Sequence, residues 1–176
     1  ALVLGGRKLA VETESRAHNV PFVLLGASLL WFGWFGFNAG SSLAADGLAS
    51  LALVTTNLAA AAAMFVWVCL EAWQGKRPSA VGAATGVVVG LVTITPAAGF
   101  VTPMGALAMG VIGALGAFFA IERFGRLGVD DTLDVFACHG VAGIIGSVLT
   151  GVFATKAVNS AGADGLLYGG GYTLLG

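Results

Sequence analysis

TLDVFACHGVAGIIGSVLTGVFA, residues 132–154, is a run of 23 mostly apolar residues with one ionisable ring, His139, near its middle. At 1.5 Å rise per residue, about 20 such residues cross the hydrocarbon core of a bilayer, so the stretch predicts a membrane-spanning helix with His139 close to the midplane. An ionisable ring at that depth is costly unless it faces a cavity or a partner, which makes His139 a candidate functional residue. The competing reading is a neutral imidazole that hydrogen-bonds a neighbouring helix. Val135, His139, Gly143 and Gly146 recur at i, i+4, i+8 and i+11, placing the ring on one face with two glycines. Glycines let another backbone or a narrow path approach closely, and this favours a lined passage.

Composition sets the class. The chain is 57% hydrophobic and 10% charged, with a mean hydropathy of +0.93; a soluble domain carries roughly 25% charged residues. This is an integral membrane protein whose first partner is the lipid bilayer. A net charge of -1 provides no concentrated basic face for nucleic acid. Cys69 and Cys138 lie in apolar runs, where a thiol behaves as a small hydrophobe, so neither a disulfide nor a metal site is expected. No cofactor motif stands out. The 28 glycines suit membrane helices, which associate through small residues.

Residues 1–6 are apolar and lead straight into Arg7 and Lys8, reading as the tail of a span that begins upstream. The glycine-rich YGGGYTLLG at 168–176 reads as an unfinished end. Between them five spans are predicted, at about 20–41, 48–70, 80–95, 104–121 and 132–154, separated by turn chemistry such as Asp46-Gly47 and Gln74-Gly75 with Pro78. The fold class is therefore all-α, a polytopic membrane helix bundle of about five transmembrane helices. Arg7, Lys8 and Arg16 precede the first span, Lys76 and Arg77 the third, and Arg123 and Arg126 the fifth. Only Lys156 lies opposite. The loops at 7–18, 74–79 and 122–131 are accordingly read as cytoplasmic, in a multi-pass protein of the cell membrane.

That orientation gives the first span a direction. Leu30, Trp34, Phe37 and Ser41 recur at i, i+4, i+7 and i+11, so one face carries rings and a hydroxyl up to the outer surface. Trp31 and Phe32 read as an interfacial aromatic belt. Phe37 and Ser41 fit another role, because the outward helix end has free carbonyls and ring faces that attract a small cation. Thr55, Thr56 and Asn57 in the second span read as glue between helices. Asn19 with Pro21 reads as a helix start, and His18 as a solvated side chain. Asp131 and Asp134, three apart before the last span, read as structural: a capping residue and its first-turn acidic partner.

Four stretches, GWFGFNAGS (33–41), GKRPS (75–79), TPAAGFV (95–101) and DDTLDVFACHGVAGIIGSVLTGVFA (130–154), resemble the ammonium transporter family (Amt/Mep/Rh) in order and spacing. The resemblance runs through nearly all of the chain. It implies a fold of about eleven helices in which an inverted repeat of five relates to a second five. It also implies a homotrimer with one pore per subunit, binding by a PII-type regulatory protein, and transport of ammonium or ammonia rather than enzymatic catalysis. The chain resembles the second repeat only, so residues 1–176 would be a partial membrane domain lacking the N-terminal half and the final helix. Carried over by motif, His139 matches the second of the paired pore histidines and would act as a pore proton relay. Phe37 matches a phenylalanine of the outer gate, and Ser41 the hydroxyl of the cation-recruiting site. Leu30, Trp34, Val135 and Thr85 match pore-wall positions, Thr85 keeping a hydroxyl where family members also carry serine. The alternatives are a membrane sensor domain for ammonium and an Rh-like channel for ammonia or another small neutral gas.

Overall fold

Helices begin where the sequence supplies an acceptor for free backbone amides. Asn19 Oδ1 accepts from the Phe22 N–H at 3.1 Å and Asp46 Oδ1 from Ala49 at 2.8 Å. Ser79 Oγ accepts from Gly82 at 2.8 Å and Thr102 Oγ1 from Gly105 at 3.1 Å. These residues open α1 (Val20–Ala39, continued by a tight turn at Gly40–Ser42), α2 (Gly47–Trp73), α3 (Ala80–Ile94) and α4 (Pro103–Arg126). A π-helical turn, Phe136–Val141, then runs into α5 (Ala142–Phe153). The computed structural model describes residues 17–128, 131 and 133–175. Residues 1–6 and most of the predicted loop at 7–18 lie outside the described residues, as does Thr132 at the head of the last predicted span.

A helix stands within each of the five predicted spans, and two of the ends move to where glycine decides them. α2 continues to Trp73 and α4 to Arg126, beyond the end of each apolar run. The chain breaks off only where Gly75 (φ +72) and Gly128 (φ +70) adopt the left-handed conformation that suits a helix exit. Among the described residues four helices are long and apolar enough to cross a membrane, and α3 is shorter. Its 15 residues span roughly 22 Å, short of a hydrocarbon core of about 30 Å. Segment 95–102 continues from it with Ala97, Ala98 and Val101 buried. Irregular backbone at membrane depth is tolerated where protein covers it in this way.

α3 lies at the centre because its small residues let neighbouring backbones in. A methyl group added at Gly90 would stand 2.5 Å from the Ala59 carbonyl oxygen, and one at Gly86 2.8 Å from Trp67 Cβ. Positions 90 and 86 thus meet positions 59 and 67, so α2 and α3 run antiparallel. Gly146 of α5 closes on the Thr93 carbonyl from the other side. One apolar cluster joins Ala52, Ala59, Ile94, Val101 and Met109. Another joins Trp67, Val89, Phe118, Cys138 and Ala142, with Trp67 and Phe118 edge to face at 5.1 Å.

Polar groups in α2 do the joining expected of them, except one. Thr55 Oγ1 donates to the Ala98 carbonyl at 2.6 Å, and Thr56 Oγ1 accepts from Asn38 Nδ2 at 3.0 Å. Asn57 is exposed and makes no side-chain hydrogen bond among the described residues. The bundle's ends are chemically distinct. Gln74 Nε2 donates to Glu122 at the end bearing Lys76, Arg123 and Arg126. At the opposite end the chain folds back after α5, where Asp164 Oδ1 accepts from the Lys156 N–H at 2.8 Å.

Candidate functional site

Two concavities lie along α1, and the helix itself connects them. The inner one is an open groove of about 330 Å³ between the first halves of α1 and α3 and the π-turn. Phe22, Gly26 and Leu30 face it at i, i+4 and i+8, Val81, Ala84 and Thr85 come from α3, and Leu133, Cys138 and His139 from the last span. The His139 ring is exposed to this groove, and no acidic side chain stands among the described lining residues. The wall is otherwise apolar apart from two weak polar groups. Thr85 Oγ1 already donates to the Val81 carbonyl at 3.0 Å, and the Cys138 side chain is buried.

The outer concavity, also about 330 Å³, gathers the end of α1, the start of α2 and segment 95–100. Phe37 and Ser41 line it with Asn38, Ser42, Thr95 and Asn159. Ser41 Oγ donates its proton to the Phe37 carbonyl at 2.7 Å, which leaves the oxygen lone pairs as acceptors facing the cavity. Phe37 is 63% exposed, a ring held by its helix but uncovered on the cavity side.

Trp34 stands between the two. Its Nε1–H donates to Thr95 Oγ1 at 2.7 Å, and its ring meets Phe37 edge to face at 5.9 Å. This anchor fixes the Trp34 ring against the end of α3, and the ring in turn braces Phe37. Leu30 and Phe37 are seven residues apart on α1, about 10 Å along the axis, so the concavities are successive stations on one helix face.

Several sequence expectations meet a different geometry. Leu133 lines the groove, whereas Val135 is 50% exposed beside it. Gly146, predicted to share the histidine face, is buried against α3. Both follow from the π-turn, which adds a residue to the turn around His139 and breaks the 3.6-residue register used to align the face. Asp131 Oδ2 accepts from the Phe136 N–H at 2.7 Å, and Asp134 precedes the helix instead of occupying its first turn. Trp31, expected in an interfacial belt, packs inward against Ala60, Val87 and Leu91 because small residues of α2 and α3 leave room for it. Phe32 is 76% exposed. Sequence reasoning missed Phe22, Thr95 and Asn159, whose placement depends on contacts between separate segments.

Comparison with known proteins bears on the family and the fold. The family model described as Ammonium Transporter Family matches residues 1–176. The chain is 49% identical over 170 residues to an ammonium transporter of Bacillus subtilis (strain 168), covering 96% of this chain and 42% of the relative. It is 43% identical to ammonium transporter Amt1 of Archaeoglobus fulgidus, again covering 96% of this chain and 42% of the relative. The crystal structure of Candida albicans Mep2 superposes with a TM-score of 0.89 at 36% identity, covering 98% of this chain and 40% of that one. A structure described as a sensor Amt protein superposes at 0.80 with 36% identity, covering 89% of this chain and 40% of that one. The chain therefore spans about two-fifths of the length of the relatives it matches. On the family match along its whole length, and on a helical bundle that superposes on solved relatives, the chain belongs to the ammonium transporter family.

Proposed function

We propose that this chain forms one half, the second repeat, of a transmembrane path for ammonium and ammonia in the cell membrane. The observation that carries the reading is His139, an ionisable ring exposed on a groove whose walls are otherwise almost wholly apolar. Above the groove, on the face of α1 that borders it, stand a ring and a hydroxyl acceptor at an outer cavity, in the order that recruitment, gating and passage require. Ser41 would accept from an ammonium N–H while the Phe37 face attracts its charge.

The mechanism follows from the cost of charge. Moving an intact small cation into a low-dielectric medium costs on the order of 20 kcal/mol in the Born limit, and the groove walls at Phe22, Leu30 and Leu133 offer little to offset it. Ammonia is neutral. Releasing the proton to water at the outer mouth and passing the neutral amine beyond Phe37 removes most of that barrier. The His139 imidazole can both donate and accept along the path, and Thr85 adds a hydroxyl at the groove. The whole protein would be a homotrimer with the loops at 7–18, 74–79 and 122–131 cytoplasmic, where a PII-type regulator could dock. Transport, with no chemical turnover of the solute, is the activity assigned.

In the full-length protein His139→Ala should lower methylammonium uptake or abolish its selectivity. Phe37→Ala should change conduction, and Ser41→Ala should weaken apparent ammonium affinity modestly. Wild-type uptake in the His139 variant would make that residue a packing histidine and sink the reading. Orientation is checked separately: a cysteine at Lys76 should label only from the cytoplasm and one at Thr102 only from outside. The likeness to a sensor Amt protein favours a second reading, an ammonium-sensing membrane domain. Ammonium-dependent signalling without uptake would select it.

A further inference from the structure

The π-turn that carries His139 is preceded by a backbone conformation that few residue types adopt. Asp134 has φ +52. Among non-glycine residues, aspartate and asparagine visit this left-handed region most readily, because a short polar side chain can bond locally. Among the described residues Leu43 is the other non-glycine case, and it lies in an exposed loop between α1 and α2. Asp134 instead sits at a junction pinned from both sides. Its N–H donates to the Asp131 carbonyl at 2.9 Å, and the Asp131 carboxylate accepts from the Phe136 N–H at 2.7 Å. Its own carbonyl accepts from Cys138 at 2.8 Å.

The pinned corner has consequences along the span. Within the π-turn the Ala142 N–H reaches back five residues to the Ala137 carbonyl. An unbroken α-helix leading back from α5 would lack the extra residue, and side chains before it would turn by about 100° around the axis. α5 cannot turn to compensate, since Gly146 is closed on Thr93 and Ala142 is buried in the core. With the corner as it stands, Cys138 is buried against the core at the edge of the groove, while Leu133 and His139 are exposed to it.

We propose that Asp134 is a positioning residue whose left-handed backbone, tied down by Asp131, sets the π-turn that presents His139 to the groove. The inference rests on the pore reading of His139 for its functional meaning, and what it requires of residue 134 is a backbone conformation, with no demand for a carboxylate. The carboxylate has a competing role to exclude, since Asp134 lines a further concavity, separate from the groove and the outer cavity, with Glu71, Lys76 and Glu122.

Substitutions separate the two by sorting residues on conformation against charge. Asp134→Gly and Asp134→Asn tolerate a positive φ without the charge, and Asp134→Glu keeps the charge but tolerates the conformation poorly. In the full-length protein, methylammonium uptake per inserted molecule should stay within about twofold of wild type for Gly and Asn and fall about tenfold for Glu. A second readout is the rate at which diethyl pyrocarbonate modifies His139, followed by peptide mass spectrometry. It should be unchanged in the Gly and Asn variants and altered in the Glu variant. Loss of uptake in both Gly and Asn variants, or wild-type behaviour of Glu in both readouts, overturns the proposal. If Glu does not accumulate in the membrane, the Gly and Asn variants decide alone. If His139→Ala transports normally the pore reading fails, yet the order of modification rates still tests the positioning claim.

Discussion

α1 and α3 are both almost wholly apolar, yet they lie at opposite extremes of burial. Of the 20 residues of α1 only Asn38 is buried, while α3 buries ten of its 15. In water such a difference would follow hydrophobicity, but a lipid tail is as apolar as a leucine. Apolarity therefore selects which segments enter the bilayer, and side-chain size selects which of them pack against protein. α3 presents Gly86 and Gly90 to α2, and backbones close to van der Waals distance. α1 presents Phe22, Leu29 and Phe32, which are 62–76% exposed and suit a surface against lipid or another helix.

The comparison breaks most visibly at the glycines. Gly90→Leu forces a branched side chain into the Ala59 carbonyl and should destabilise the bundle by about 3 kcal/mol or more. Gly33→Leu, with nothing within 4 Å, should be neutral. Thermal melts of detergent-solubilised protein compare the two. An equal loss at Gly33 would sharpen the picture differently, showing that another segment covers the outward face of α1.

A smaller effect is expected where α1 does engage the core. Asn38→Leu removes the buried bond to Thr56 and should cost about 1 kcal/mol, typical of a hydrogen bond between membrane helices. Thr56 keeps its own donation to the Ala52 carbonyl at 2.6 Å, so no buried hydroxyl proton is orphaned. Phe32→Leu, on the exposed side of the same helix, should leave the melting temperature within error. A drop as large as that of Asn38→Leu would mean that ring packing holds α1 in place.

The smallest effect concerns the turn that joins α1 to α2. The Ala49 N–H, and after it the Ser42 hydroxyl, hold the Asp46 carboxyl below its ordinary value of 3.8. Because the folded state favours the ionised form, this contribution is present above the unfolded value and lost as pH falls through the lower folded one. The melting temperature should therefore decline slightly more steeply below about pH 4 in wild type than in Asp46→Ala. Parallel curves would show that the cap acts through its hydrogen bond alone.

What the sequence by itself determined is what depends on short-range chemistry. The five spans are legible because transfer into lipid is summed over about 20 consecutive residues, and the start of the first because Asn19 caps an amide three residues on; the matching caps at Asp46, Ser79 and Thr102 came from the structure. His139 stood out because an ionisable group inside such a run is expensive. The tertiary structure decided which faces meet. A 3.6-residue period assigned Val135 and Gly146 to the histidine face, but a π-turn anchored at Asp131 and Asp134 broke the period within that span. Trp31 turned inward and Thr95 found Trp34 because residues distant in sequence shaped the space they fill. No local pattern encodes that space, since it is the gap left between helices after their small residues have closed.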